Sequence, residues 1–270
     1  MLNYRRVPPR GPAGYYVVAP DLLGHGFAAR PVDYSIATFV EHLRPLLDSL
    51  PSLDLLVGHS LGGVVAVAIP AQYKQKLGFR MALLDPVLEF PVEIFKGLRA
   101  EIIQEVSEPL SVEQYQKENP RWTQEDCAIK VLGAVLCTPS AAGAICDVRA
   151  RRASPSPWAL TSSLAQTNFP GSFTHHLPLP SASAPSPYET IILGADPALG
   201  AAFSVEEARE LAKSRPYVKT AFVKGATHSI HREEAELVVK VLVLGEVEDE
   251  GLLAAENVKV ESGALQPEQM

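Results

Sequence analysis

"LLVGHSLGGVV", residues 55 to 65, is a hydrophobic run that ends in a serine set among glycines. A short apolar run closed by glycine reads as a buried strand, and the apolar text after Gly63 reads as a buried helix. Between them, Gly58-His59-Ser60-Leu61-Gly62 has the form G-x-S-x-G. A plain tight turn accounts for the glycines, because strand and helix must pack closely. A nucleophile elbow accounts for the glycines and the serine together, since it holds a hydroxyl up on a strained backbone between strand and helix. Five letters recur by chance, so the strand-to-helix setting carries the reading. The helix N-terminus adds partial positive charge where an oxyanion would form.

A serine hydroxyl is a poor nucleophile until a base takes its proton. Elbow enzymes present the partners in the chain order Ser, then Asp or Glu, then His. Asp196 ends the apolar run "TIILGAD", and His228 follows the next run in "VKGATHSIH". Both therefore belong at the carboxyl edge of a parallel sheet, where ligands and chemistry collect. Asp196 is the preferred acid, and Asp85, which ends "ALLD", is the alternative. His231 is an alternative base, one helical turn further on. His25, His42, His175 and His176 have no partner that the sequence names.

The surrounding text alternates between strand and helix. "GYYVVAPDLL" reads as a strand ending at Pro20, and a helix follows with Ile36, Phe39, Val40, Leu43, Leu46, Leu47 and Leu50 on one face. Ser35 is its expected N-cap, and Pro45 is expected to kink or split it. "LDLLVG" and "FRMALLDPV" are the next strands. From Pro91 to Asn168 the patterns are helical without a strand: "VEIFKGLRAEIIQEV", "SVEQYQKE", "CAIKVLGAVLC" and "WALTSSLAQT". Residues 169–187 form a Pro/Ser-rich connector. Strand "YETIILGAD", helix "SVEEARELAKS" with a Ser204–Glu207 capping box, strand "YVKTAFVKG" and helix "HSIHREEAELVVKVLVL" then follow. The acidic text beyond Gly245 reads as a flexible tail. This order implies an α/β fold with a mostly parallel sheet covered on both faces and interrupted by a helical insert.

With 270 residues the chain is long enough for one large α/β domain with an insert. A formal net charge of −7 argues against a nucleic-acid binder. Cys127, Cys137 and Cys146 are odd in number and lack metal-ligand spacing, so they read as small core residues. The N-terminus carries no apolar signal segment, and no apolar run approaches the 18 or so residues of a membrane span. The expected compartment is cytoplasmic. The sequence leaves oligomeric state open.

Taken in order, "VVAPDLLGHG", "VGHSLGG", "ALLDP", "ILGADP" and "GATHSIHRE" resemble the α/β-hydrolase fold family, in particular its serine esterase-like branch with a helical cap. The resemblance covers residues 4–90 and 187–243. It implies a discontinuous core of residues 1–89 and 187–244, a cap and connector over residues 90–186, and a tail over residues 245–270. It also implies Ser60 as nucleophile, Asp196 as acid, His228 as base and the Leu61 N–H as one of the oxyanion donors. Serine at the elbow departs from the branches that place Asp there. Thr227 stands where the family often has glycine before the histidine.

A second departure lies at the N-terminus. The family has a strand ending in His-Gly some thirty residues before "VVAPD", and its loop gives one oxyanion N–H. Here sixteen residues precede Val17. The first three strands of the pattern are thus expected to be absent, making the fold N-terminally truncated, with Met1 not the start of a full enzyme. The functional expectation is a carboxylesterase-like serine hydrolase that cleaves a small ester through an acyl-enzyme on Ser60. No metal or organic cofactor is implied. The alternatives are a catalytically impaired or dead relative, or a C–C bond or lactone hydrolase using the same three side chains.

Overall fold

The computed structural model describes residues 16–72, 79–89, 92–146, 173–174, 177, 188–245 and 250–258. They fall into two compact units, one of residues Met1–Ser49 and Phe90–Gly171, the other of Leu50–Glu89 and Ser172–Met270. Residues 16–49 are therefore grouped with the helical stretch rather than with the sheet.

The second unit is built on a five-stranded sheet. Strands β1 (Leu55–His59), β2 (Arg80–Leu84), β3 (Thr190–Gly194) and β4 (Val218–Val223) lie in that order and run parallel. The register pairs Leu55 with Arg80, Met81 with Thr190 and Thr190 with Val218. β3 is buried along its whole length, as the continuous run Thr-Ile-Ile-Leu-Gly demands of a strand covered on both faces. Burial of each Ile or Leu side chain contributes about 1.5–3 kcal/mol. Helix α2 (Leu61–Gln72) follows β1 directly, and Gly63 to Pro70 are buried along it. Helices α7 (Val205–Ser214), α8 (Ile230–Glu233) and α9 (Ala235–Leu244) complete this unit. Ser204 caps α7 with Glu207 in the expected capping box.

Three features of the fold differ from the sequence reading. Residues 16–20, the described part of "YYVVAP", form no strand: Tyr16 is 80% and Val18 40% exposed, and no described strand pairs with them. β-branched text alone does not make a strand, because its backbone groups need a ladder partner or water. Among the described residues the sheet accordingly begins at β1. The second difference lies in the acidic tail, where Leu252 and Leu253 form β5, antiparallel to β4. Arg209 holds the following turn through the carbonyls of Ala255 and Val258. Third, the final helix breaks at Glu234, whose φ of −131° separates α8 from α9.

The first unit is helical. α1 (Ile36–Ser49) buries Ile36, Phe39, Val40, Leu43 and Leu47, the face expected. It runs unbroken through Pro45, which is exposed. α3 (Val92–Ser107), α4 (Val112–Glu118) and α5 (Gln124–Val135) match helical text, and α6 (Pro139–Ile145) was not anticipated. Its start is a Thr138 N-cap followed by proline at the first position, a favourable opening. The stretches "WALTSSLAQT" and most of the Pro/Ser-rich connector lie outside the described residues. Cys127, Cys137 and Cys146 are buried and form no disulfide with one another. Among the described residues no single helix is long and apolar enough to cross a membrane.

Candidate active site

The carboxyl edge of the sheet assembles from β1, β2, β3 and the loop after β4. Ser60 sits between β1 and α2 at φ 51°, a left-handed conformation that a side-chain-bearing residue adopts at a cost of about 1–3 kcal/mol. Two glycines permit the close approach around it. A Cβ on Gly58 would stand 2.3 Å from the Gly62 carbonyl oxygen, and one on Gly63 would stand 2.7 Å from the Pro86 side chain. Ser60 N–H still bonds the Leu84 carbonyl at 3.1 Å, so the elbow is anchored to β2 before the chain turns. Leu61 opens α2, and its N–H belongs to the first turn, where a helix supplies no acceptor.

The acid that meets the histidine is Asp85. Its Oδ2 lies 2.6 Å from His228 Nδ1. Oδ1 accepts the N–H groups of Ala195 and Phe203, and Oδ2 also accepts that of Ala202. Asp85 is fully buried and, like Ser60, has a positive φ, here 41°. Burial pushes its carboxyl up, but the hydrogen bond and charge of His228 and the Ala202 and Ala195 N–H groups outweigh it. The carboxyl is held below its ordinary range.

Asp196, the acid preferred from the sequence, is not brought to His228. Its carboxylate caps the short 3-10 turn Pro197–Leu199 through the Ala198 N–H at 3.0 Å and accepts the Gly225 N–H at 2.7 Å. Asp196 thus turns back along its own loop and pins the stretch leading to His228. The reason is local: with φ −64° and a proline next, its side chain is set up to cap the turn.

Thr227 has its N–H and its hydroxyl both bonded to the Glu233 carboxylate at 2.8 Å. The residue that departs from the family pattern is therefore clamped by the first turn of α8. His231 packs on the His59 ring, with centroids 4.5 Å apart. Burial, then the charges of Arg232 and His228, lower the pKa of His231 to about 3. His25 and His42 bond the carbonyls of Leu23 and Asp21. His175 and His176 lie outside the described residues.

Sequence reasoning passed over His59. Its Nε2 lies 2.8 Å from the His228 carbonyl oxygen, and its ring is 4.6 Å from that of His228. A carbonyl only accepts, so His59 Nε2 carries the proton. Burial, helped by the nearby His231 and His228, pushes the His59 pKa well below that of a free histidine. The signal available in the sequence was a histidine inside the G-x-S-x-G pattern together with two more at 228 and 231.

The bond to Asp85 makes His228 Nδ1 the donor and leaves Nε2 with its lone pair, the form that takes a proton from an alcohol. The His228 side chain is 41% exposed. Among the described residues no hydrogen bond joins the Ser60 hydroxyl to His228. Such bonds are often long before substrate binds.

A sequence profile of the Alpha/beta hydrolase family matches residues 2–241. Over 102 residues the chain is 34% identical to the 2-hydroxy-6-oxo-2,4-heptadienoate hydrolase of Pseudomonas putida, which is 36% of each chain. Over 93 residues it is 32% identical to the 2-hydroxymuconate semialdehyde hydrolase of a Pseudomonas species, 33% of each chain. The aligned stretch thus spans about a third of the length of these curated relatives. An esterase from Exiguobacterium antarcticum has the same fold with a TM-score of 0.61 and 13% identity, covering 90% of this chain and 85% of that one. The thioesterase domain from the curacin biosynthetic pathway gives 0.59 and 20%, covering 90% and 86%.

Proposed function

The chain belongs to the alpha/beta hydrolase family, and from that premise we propose that it is a serine hydrolase that cleaves a carboxylic ester through an acyl-enzyme on Ser60. The observation that carries this is the 2.6 Å bond from Asp85 to His228 Nδ1, beside a serine held at positive φ. Ser60 Oγ attacks the ester carbonyl carbon while His228 Nε2 takes the hydroxyl proton. The carbonyl oxygen becomes an oxyanion next to the Leu61 N–H at the positive end of α2. Collapse breaks the bond to the alkoxy oxygen, which leaves with the proton returned by His228. Water then attacks the acyl carbon, giving its proton to His228, and the carboxylic acid departs as Ser60 is restored. Asp85 holds the imidazole tautomer and stabilises its positive charge without taking the proton itself.

The test is labelling with a fluorophosphonate probe, with Ser60→Ala as control. Stoichiometric labelling that disappears in Ser60→Ala is the expected result. Wild-type protein that melts cooperatively yet stays unlabelled would make the chain a catalytically dead member of the family.

The relatives named as dienoate and semialdehyde hydrolases favour a second reading, in which the same side chains cleave a C–C bond beside a carbonyl. Comparing p-nitrophenyl acetate with a 2-hydroxy-6-oxo-dienoate separates the two. Turnover of the ester alone supports the first reading, and faster turnover of the dienoate replaces it with the second.

A further inference from the structure

His59 and Ser60 are neighbours in the chain, yet His59 reaches across to the residue that carries the base. Its Nε2–H donates to the His228 backbone carbonyl at 2.8 Å, and its ring lies against the His228 ring, tilted by 41°. The His231 ring also lies against the His59 ring, with centroids 4.5 Å apart and planes at 55°. His59 therefore touches two imidazoles and aims its donor at a single acceptor.

Other bonds to this loop start from elsewhere in the fold. Asp196, after β3, takes the Gly225 N–H; Glu233, on α8, takes Thr227; Asp85, after β2, takes the His228 ring. The His59 bond runs from the nucleophile's own strand to the base residue's own backbone. The Asp85 bond engages the His228 ring, whereas the His59 bond engages its backbone. Proton transfer between Ser60 Oγ and His228 Nε2 depends on the separation of those two atoms, and a misplacement of about 1 Å costs on the order of 10²-fold in rate.

We propose that His59 is a positioning residue, tying the His228 backbone to the nucleophile strand so that Ser60 and His228 meet at proton-transfer distance. The proposal rests on the serine hydrolase reading above.

Two variants isolate the hydrogen bond from the packing. His59→Phe keeps an aromatic ring against His228 and His231 and removes the donor. His59→Gln gives up the ring, but its amide nitrogen stands near the position of imidazole Nε2. The measurements are the rate of fluorophosphonate labelling at Ser60, kcat and KM on p-nitrophenyl acetate, and the thermal midpoint. His59→Phe is expected to slow labelling and lower kcat by about 10–100-fold, with KM changed less than about twofold. His59→Gln is expected to recover most of that loss. Should His59→Phe not fold, His59→Asn replaces it, because its shorter amide reaches the Nδ1 position instead and leaves the carbonyl unpaired.

Labelling of the donor-less variant at the wild-type rate would overturn the proposal while leaving the serine hydrolase reading intact. So would equal slowing in His59→Phe and His59→Gln accompanied by an equal fall in thermal midpoint, which marks packing alone. Folded wild-type protein that resists the probe overturns the hydrolase reading and this proposal with it.

Discussion

Two aspartates leave adjacent parallel strands at the same edge of the sheet, Asp85 after β2 and Asp196 after β3. Each is followed by proline, and each takes backbone N–H groups on its carboxylate. Their surroundings differ. Asp85 is fully buried at φ 41°, and its side chain collects three N–H groups from residues 195–203 together with the His228 ring. Asp196 is half-buried at φ −64° and collects one N–H from its own turn and one from Gly225. Position at the carboxyl edge is thus not what makes an acid the histidine's partner. Backbone conformation aims the carboxylate, and a cage of donors from other loops keeps it there ionised.

The largest expected effect comes from breaking the Asp85 side of the comparison. Asp85→Asn leaves the size unchanged but presents an amide to His228 and fixes the wrong tautomer, a defect that in an analogous triad costs about 10⁴ in kcat. Fluorophosphonate labelling should fall by a similar factor. A labelling rate within tenfold of wild type would remove Asp85 from the proposed mechanism.

Asp196→Ala should be milder. It forfeits the bonds to Ala198 and Gly225, each worth about 0.5–1.5 kcal/mol net, and loosens the stretch before His228. A urea midpoint lowered by about 1–3 kcal/mol in stability, with labelling slowed less than about tenfold, is the expected pair of results. If Asp196→Ala were as damaging to labelling as Asp85→Asn, the two aspartates would not be doing different jobs.

The smallest effects are those of pH. Asp85 has its folded pKa below the ordinary value, so the folded state binds fewer protons and its stabilisation is lost as pH falls through the carboxylate range. His231, lowered to about 3, acts with the same sign over a wider window, from about 6.5 down to about 3. Glu207 is raised by burial to about 7 and acts oppositely, losing stabilisation as pH climbs from about 4.5 towards 7. Urea midpoints measured from pH 7 to pH 4 should therefore fall more steeply in Glu207→Gln than in wild type. An unchanged slope would mean that Glu207 titrates alike in the folded and unfolded states.

Legibility followed the range of the interactions. The elbow was readable because its signal is local: a strand ending at His59, a serine, and a helix start that packs back on Gly58. β2, β3 and β4 were readable as apolar runs between turn residues. "YYVVAP" shows the limit of that signal, because a strand exists only with a neighbour to bond. Leu252 and Leu253 show the reverse, since two leucines in acidic text become a strand once β4 offers an edge. α6 was readable in principle from the Thr138-Pro139 opening, but its small residues give little periodicity. The roles of Asp85, Asp196 and His59 depended on partners far away in the chain, 143 residues for Asp85 and His228 and 169 for His59 and His228.

The order of residues alone determined that a serine would stand on a strand-to-helix turn of an α/β sheet with a histidine arriving at the same edge, because hydrophobic periodicity and glycine spacing are local properties. Only the folded arrangement decided which carboxylate faces that histidine, which side chain on the serine's strand bonds its backbone, and where the described sheet begins. Those outcomes turn on the direction of a side chain or the presence of a neighbouring strand, and a linear text records neither.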